Sequence, residues 1–286
     1  MSLRALPAAK NLARPEKADW DPPADALCRW AERPQAAEAT DPGVISIYDV
    51  IGSDWYGDGW TSKRLAGVLR SIGGNPVTVN INSPGGDVFE GIGIYNLLRE
   101  HPAKVTVKVM GLAASAASII AMAGDEILMG TGTEMMVHKA WGMVVGNSDD
   151  FAAAVDIFKT FDSSLAEIYA ARTGKTEAEI LKLLAGGGRG ADGTWMTASE
   201  AVAQGFADGM MPDAAGSSAP AAIAAPGITA RRRVDALLAQ TGLPRGERRR
   251  LVRDIAGTPR AADDAMPSAG DDLAAPLRQL LATLRT

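Results

Sequence analysis

From Gly43 onward the apolar positions fall into two rhythms. GVISIYDVIG alternates with a period of two and predicts a strand. Thr61 then stands as an N-cap before SKRLAGVLRSIGG, where Leu65, Val68, Leu69 and Ile72 share one helical face and glycines end the run. PVTVNIN returns to the strand period with Val77, Val79 and Ile81 on one side, SPGGD is a tight turn, and VFEGIGIYNLLREHP is a helix stopped by proline. AKVTVKVMG predicts a third strand. AASAASIIAMAG predicts a helix of small residues, buried because it has no polar face. EILMG and EMMVH are short strands. This βαβαβα order predicts an α/β fold with parallel strands.

Beyond it, Phe151 to Thr173 predicts a long helix and Glu177 to Leu184 a second one. AGGGRGADG is a glycine-rich loop, and TASEAVAQGFAD a last helix and turn. The flanks differ from this core at 43–213. Residues 1–42 are rich in Ala, Pro and charge and predict a flexible arm. Residues 214–230 read as an Ala/Pro-rich linker. Residues 231–286 form a basic tail, with short helices in RRRVDALLAQTG and PRGERRRLVRDIAG and another over about 271–284. The tail's apolar Leu237, Leu238, Leu251, Val252 and Ile255, rimmed by arginines, are expected to order against an acidic partner.

Composition narrows the function. The chain of 286 residues is 47% hydrophobic and carries a net charge of −5, so no nucleic-acid or membrane partner is expected. The N-terminus has no apolar signal segment, and Met110 to Gly124 is too short and too rich in Ala and Ser to span a bilayer, which predicts a cytoplasmic protein. One cysteine, Cys28, forbids an intramolecular disulfide, and its polar surroundings make it a poor nucleophile. With two histidines and no cysteine pair, no metal or other cofactor is expected.

In an open α/β sheet, ligands gather at the carboxyl ends of strands. That directs attention to Ser83–Gly86, Gly111–Ser115 and His138. Ser115 follows a strand and opens the small-residue helix, a place for a nucleophile or for a plain N-cap. Ser118, one turn on, is expected to pack within the helix. The SPGG turn offers backbone N–H groups to an oxyanion. His138 ends a strand beside the Ser115 helix, where a general base belongs. His101 sits at a helix end that reads as exposed.

Four segments, NINSPGGDVFEG, GLAASAASIIAMAG, MMVHKAWG and TWMTASEAVAQGFAD, resemble in order and spacing the Clp protease proteolytic subunit. They look more like its bacteriophage branch, the head maturation (prohead) proteases. The resemblance covers about residues 43–212. It implies a ClpP/crotonase-like core of repeated β-β-α units, with Ser115 as nucleophile, His138 as base, and Gly85 and Ala116 as oxyanion donors. The family places an acid two positions before the aromatic of the W-M-T-A stretch, where this chain has Gly193. Asp192, one residue away, is the expected third member, with an unassisted Ser–His dyad as the alternative. The resemblance also implies a homo-oligomeric ring held by the helix after the histidine.

The function expected is a serine endopeptidase that cleaves scaffold or capsid proteins during procapsid maturation, since arm and tail could tether it in an assembling shell. The alternatives are a general Clp-type proteolytic subunit fed by an ATP-driven unfoldase, a crotonase-type acyl-CoA enzyme, and a non-catalytic assembly subunit, the last supported only by Gly193.

Overall fold

The computed structural model describes residues 18–19, 22–32, 41–52, 59–186, 193–212 and 226–256. The chain divides into two units, 1–252 and 253–286, and the sheet core lies in the first. Strand β1 (Ala18–Asp19) and helix α1 (Ala24–Glu32) precede the core. The core runs β2 (Val44–Ile47), α2 (Ser62–Ile72), β3 (Val77–Ser83), α3 (Val88–Arg99), β4 (Val105–Ala114), α4 (Ala116–Ala121), β5 (Glu126–Met129) and β6 (Glu134–Val137). It continues with β7 (Met143–Val144), α5 (Ser148–Thr173), α6 (Glu177–Ala185), β8 (Thr194–Thr197), α7 (Ala198–Ala203) and β9 (Gly209–Met210). Helices α8 (Pro226–Gln240) and α9 (Arg245–Ala256) follow.

Side-chain caps start the helices: Thr61, as expected, accepts from the Arg64 N–H, Asp87 accepts from the first turn of α3, and Asn147 and Asp150 form a capping box that starts α5 at Ser148, three residues ahead of the expected Phe151. The fold is a mixed α/β one. Strands β2-β3-β4-β5-β9 run parallel, and Val77, Val79, Ile81, Val105, Val107 and Val109 are buried at alternate positions of β3 and β4, while Thr78, Asn80, Thr106 and Lys108 between them are half-buried. Two pairings depart from the all-parallel expectation: β8 lies antiparallel to β6, with Glu134 opposite Thr197, and β1 antiparallel to β7.

Strand β4 has two partners. Thr106–Val109 pair with β5, whereas Leu112–Ala114 pair with β6. Against β3 the register slips in the same place: Ile81 faces Val109, but Ser83 faces Ala113. The extra residues make a bulge, which the Asn82 side chain stitches by accepting from the Leu112 N–H at 3.1 Å. A Cβ on Gly111 would lie 2.6 Å from Asn82 Oδ1, so only glycine fits there. Ala113 and Ala114, expected in the helix, therefore belong to the strand, and α4 begins at Ala116.

The flanks require correction. Over Ala24–Glu32 the expected flexible arm is a helix whose Leu27, Trp30 and Ala31 form an i, i+3, i+4 stripe, buried on Leu112, Ala114 and Met136. The first tail helix does not wait for another protein. Ala236 and Ala239 of α8 are buried on α1, and Arg232 lies 4.4 Å over the Trp30 ring and 3.3 Å from Asp49. Arg248, expected on a basic rim, is 5% exposed and bonds Asp235 and the Leu243 carbonyl, which ties α9 to α8. Leu237 and Leu251 stay exposed. The rest of the arm, most of the linker and the helix expected over 271–284 lie outside the described residues.

Trp30 Nε1 donates to the Asn82 carbonyl at 2.7 Å in a buried setting. Trp30→Phe leaves that carbonyl without its donor, at a cost of about 1–3 kcal/mol. At about 2–4 °C per kcal/mol for a domain of this size, the thermal midpoint should fall by several degrees in scanning calorimetry. An unchanged midpoint would show that α1 is not part of the cooperative fold.

Candidate active site

Because its second half pairs with β6, β4 delivers Ser115 beside the end of that strand. Ala114 lies opposite Met136, and the Ser115 N–H donates to the Met136 carbonyl at 2.9 Å. His138 follows two residues later. Its Nε2 is 2.7 Å from Ser115 Oγ, and the residue is 6% exposed. Ser115 does not cap α4 with its side chain, so the hydroxyl is left to the histidine. Its backbone, at φ 54° and ψ −126°, is the only positive-φ conformation at a non-glycine residue among those described. Such strain costs on the order of 1–3 kcal/mol and gathers at functional positions.

The segment after His138 is held from two sides. Lys139 N–H donates to the Leu184 carbonyl at 3.1 Å, and Ala140 N–H to Asp162 Oδ1 at 2.8 Å. Burial pushes the Asp162 carboxyl above its ordinary range, and the Ala140 N–H and the Lys139 charge pull it part of the way back. Beside the Ser–His pair a cavity opens, walled by Val88, Ala116, Ile119, Trp141, Leu165 and Tyr169, with Gly86 at its edge. The Ser115 and His138 side chains form part of its lining.

The other expected residues fall as follows. Ala116 is the first residue of α4 and lines the cavity. In the SPGG turn the Gly85 N–H donates to Ser83 Oγ at 3.2 Å, and Gly86 lines the cavity. A Cβ on Gly85 would lie 2.7 Å from Ser115 Cβ and 2.5 Å from the Ala114 carbonyl, so glycine there leaves room for Ser115. Two adjacent glycines in one turn gave no sign of which would face the cavity. Ser118 is fully buried and bonded to the Ser115 carbonyl and to Tyr169. His101, expected at an exposed end, is 5% exposed and bonded to the Asn75 carbonyl at 2.8 Å, a structural histidine. Cys28 sits in the α1–α8 seam, where it donates to the Ala236 carbonyl.

Asp192 lies outside the described residues. Its neighbour Gly193 does not: at φ 90°, a Cβ there would lie 2.4 Å from His138 Cβ and 2.2 Å from the Val137 carbonyl. The chain thus passes directly against the histidine, at a position where no side chain fits. Among the described residues no group of His, Cys, Asp or Glu could hold a metal ion, and no helix is long and apolar enough to cross a membrane.

The profile of the family described as Clp protease matches residues 66–214, more than half of the chain. A curated relative, the ATP-dependent Clp protease proteolytic subunit 1 of Protochlamydia amoebophila, is 34% identical over 60% of this chain and 76% of its own length. The protein of that name from Chlamydia abortus is 31% identical over 53% of this chain and 81% of its own. Among solved structures, a ClpP1 point mutant from Listeria monocytogenes aligns with 60% of this chain and 93% of its own, at 25% identity and a TM-score of 0.48.

Gly193→Asp would put an acid back at the matched position and should fail to help. The left-handed backbone and the overlap with His138 should lower the thermal midpoint by several degrees, a cost of about 1–3 kcal/mol. A variant as stable as the wild type would show that the loop tolerates a side chain. His101→Ala should weaken the fold in chemical denaturation by about 1 kcal/mol, the loss of one hydrogen bond.

Proposed function

The chain belongs to the Clp protease family, and on that footing we propose that it is a serine endopeptidase, the proteolytic subunit of a Clp-type protease. The 2.7 Å contact between His138 Nε2 and Ser115 Oγ carries this reading. A nucleophile and its base stand at hydrogen-bond distance in the wall of a small cavity. His138 Nε2 takes the Ser115 proton as Oγ attacks the scissile carbonyl carbon. The charge that develops on the carbonyl oxygen falls to the N–H groups of Ala116 and Gly86, the cavity-lining glycine taking the role expected of Gly85. The imidazolium then gives its proton to the leaving amine, the C–N bond breaks, and an acyl-serine remains. Water repeats the sequence and frees the enzyme.

Asp192 is the carboxylate we assign to orient the imidazole. Its support is the position of Gly193, one residue on, directly against His138. Position 193 itself has no space for an acid, so the non-catalytic reading turns on Asp192. Cleavage of scaffold or capsid proteins drew on a free arm and a free tail. Ala24–Glu32 and α8 pack on the chain's own core, so they lend that reading no support, and the two curated relatives are named as Clp proteolytic subunits. The general Clp role, with folded substrates delivered by an ATP-driven unfoldase, fits better.

A fluorophosphonate probe should label the wild type and spare Ser115→Ala. His138→Ala should lower peptide hydrolysis by several orders of magnitude, and Asp192→Asn by about 10²–10⁴. Labelling of Ser115→Ala at the wild-type rate refutes the assignment.

Trp141, Val145, Phe151, Val155 and Ile157 are exposed along the segment from β7 into the first turns of α5, more apolar surface than water favours. We assign that face to contacts between subunits of a ring. Sedimentation velocity at micromolar concentration should show a large oligomer, and Val155→Glu should shift it toward smaller species. A monomer at that concentration contradicts the ring.

A further inference from the structure

Two buried hydroxyls behind the nucleophile have no part in the mechanism above. Ser118 Oγ is 2.6 Å from the Ser115 carbonyl and 2.8 Å from the Tyr169 hydroxyl. A carbonyl only accepts, so the single Ser118 proton must point at Ser115. The Tyr169 contact then has to use the tyrosine's proton. The direction of the chain is thereby fixed: Tyr169 O–H donates to Ser118 Oγ, and Ser118 O–H donates to the Ser115 carbonyl.

That carbonyl is the far end of the strained residue. Backbone holds it through the Ser118 N–H at 2.9 Å and the Ile119 N–H at 3.3 Å, both from the first turn of the six-residue α4. So short a helix is a weak anchor by itself. The Ser118 hydroxyl makes the shortest of the three bonds. Tyr169 ties it to the 26-residue α5, where its ring packs against Phe206 at 5.7 Å and burial drives the phenol's pKa upward, so it keeps its proton. The ψ of Ser115 sets where its Cβ and Oγ point, and Oγ must meet His138 Nε2.

We propose that Tyr169 and Ser118 are positioning residues: a one-way hydrogen-bond relay from α5 that locks the Ser115 backbone so that its Oγ stays aimed at His138. The relay rests on the reading of Ser115 as nucleophile. The Tyr169 ring also walls the cavity beside Leu165, Ile119 and Val88, so its two ends have separable duties. The ring fills the wall, and the hydroxyl aims the nucleophile.

Tyr169→Phe keeps the wall and removes the donor. It should lower kcat for peptide hydrolysis and the rate of fluorophosphonate labelling about tenfold, with KM unchanged. Ser118→Ala should lose at least as much, and the double variant no more than Ser118→Ala alone, because the tyrosine acts only through the serine. Thermal midpoints confirm that each variant is folded at the assay temperature. If Ser118→Ala does not fold, the kcat–KM split of Tyr169→Phe decides alone. Wild-type kcat in Tyr169→Phe overturns the relay, as does a raised KM with kcat intact, which would make Tyr169 a wall only. Additive losses in the double variant overturn it too. Ser115→Ala separates the two levels: if it still labels, the nucleophile reading fails and takes the relay with it. If it does not label while Tyr169→Phe and Ser118→Ala react like wild type, the relay alone fails.

Discussion

Strand β4 pairs with β5 through Thr106–Val109 and with β6 through Leu112–Ala114, and this change of partner brings Ser115 and His138 together. A strand that stayed with β5 would not pair with β6, and Ala114 would not stand opposite Met136. The turn from one partner to the other needs extra residues in β4, a group to satisfy the backbone N–H freed there, and a glycine where that group presses in. Asn82 and Gly111 supply the last two. The Asn82 carbonyl in turn receives Trp30 Nε1, so the helix ahead of the core closes the back of the bulge.

Ser115 itself is a strained residue in a rigid frame. Its N–H is tied to β6, its carbonyl to α4 and Ser118, and Gly85 lies so close beneath that no Cβ fits there. A conformation that costs on the order of 1–3 kcal/mol persists only when its neighbours leave no alternative. Here the constraints come from several directions, each a different element of the fold.

The repeating parts of this arrangement were plain in the sequence. Val77, Val79 and Ile81 announced a buried strand, and Thr61 and the glycines after Ile72 marked a helix's two ends, because those signals are local. Ser115 and Ala116 were legible because they sit at a strand–helix corner, and His138 because it ends a strand, each within a resembled motif. What stayed hidden was set by distant partners. The bulge depends on Asn82 reaching Leu112, thirty residues on. The Ser115 conformation depends on the Met136 carbonyl, and the bonding of the Gly85 N–H on where Ser83 Oγ points. Helix α1 was missed because its stripe of Leu27, Trp30 and Ala31 is short and set among prolines and charges. Its covering helix α8 is some two hundred residues away, so neither looked capable of folding alone.

That separation bears on when the enzyme becomes complete. The seam between α1 and α8 closes a loop of roughly two hundred residues, the kind of long-range contact whose ordering entropy is met late in folding. A chain still emerging from the ribosome can form β2 through β9 before Arg232 and Ala236 exist. During that interval Trp30 has neither the guanidinium over its ring nor the helix that covers α1. The buttress behind Asn82, and through it the corner that carries Ser115, is finished only once Arg232 to Ala239 have been made. The order of synthesis thus sets this corner after the sheet that holds it.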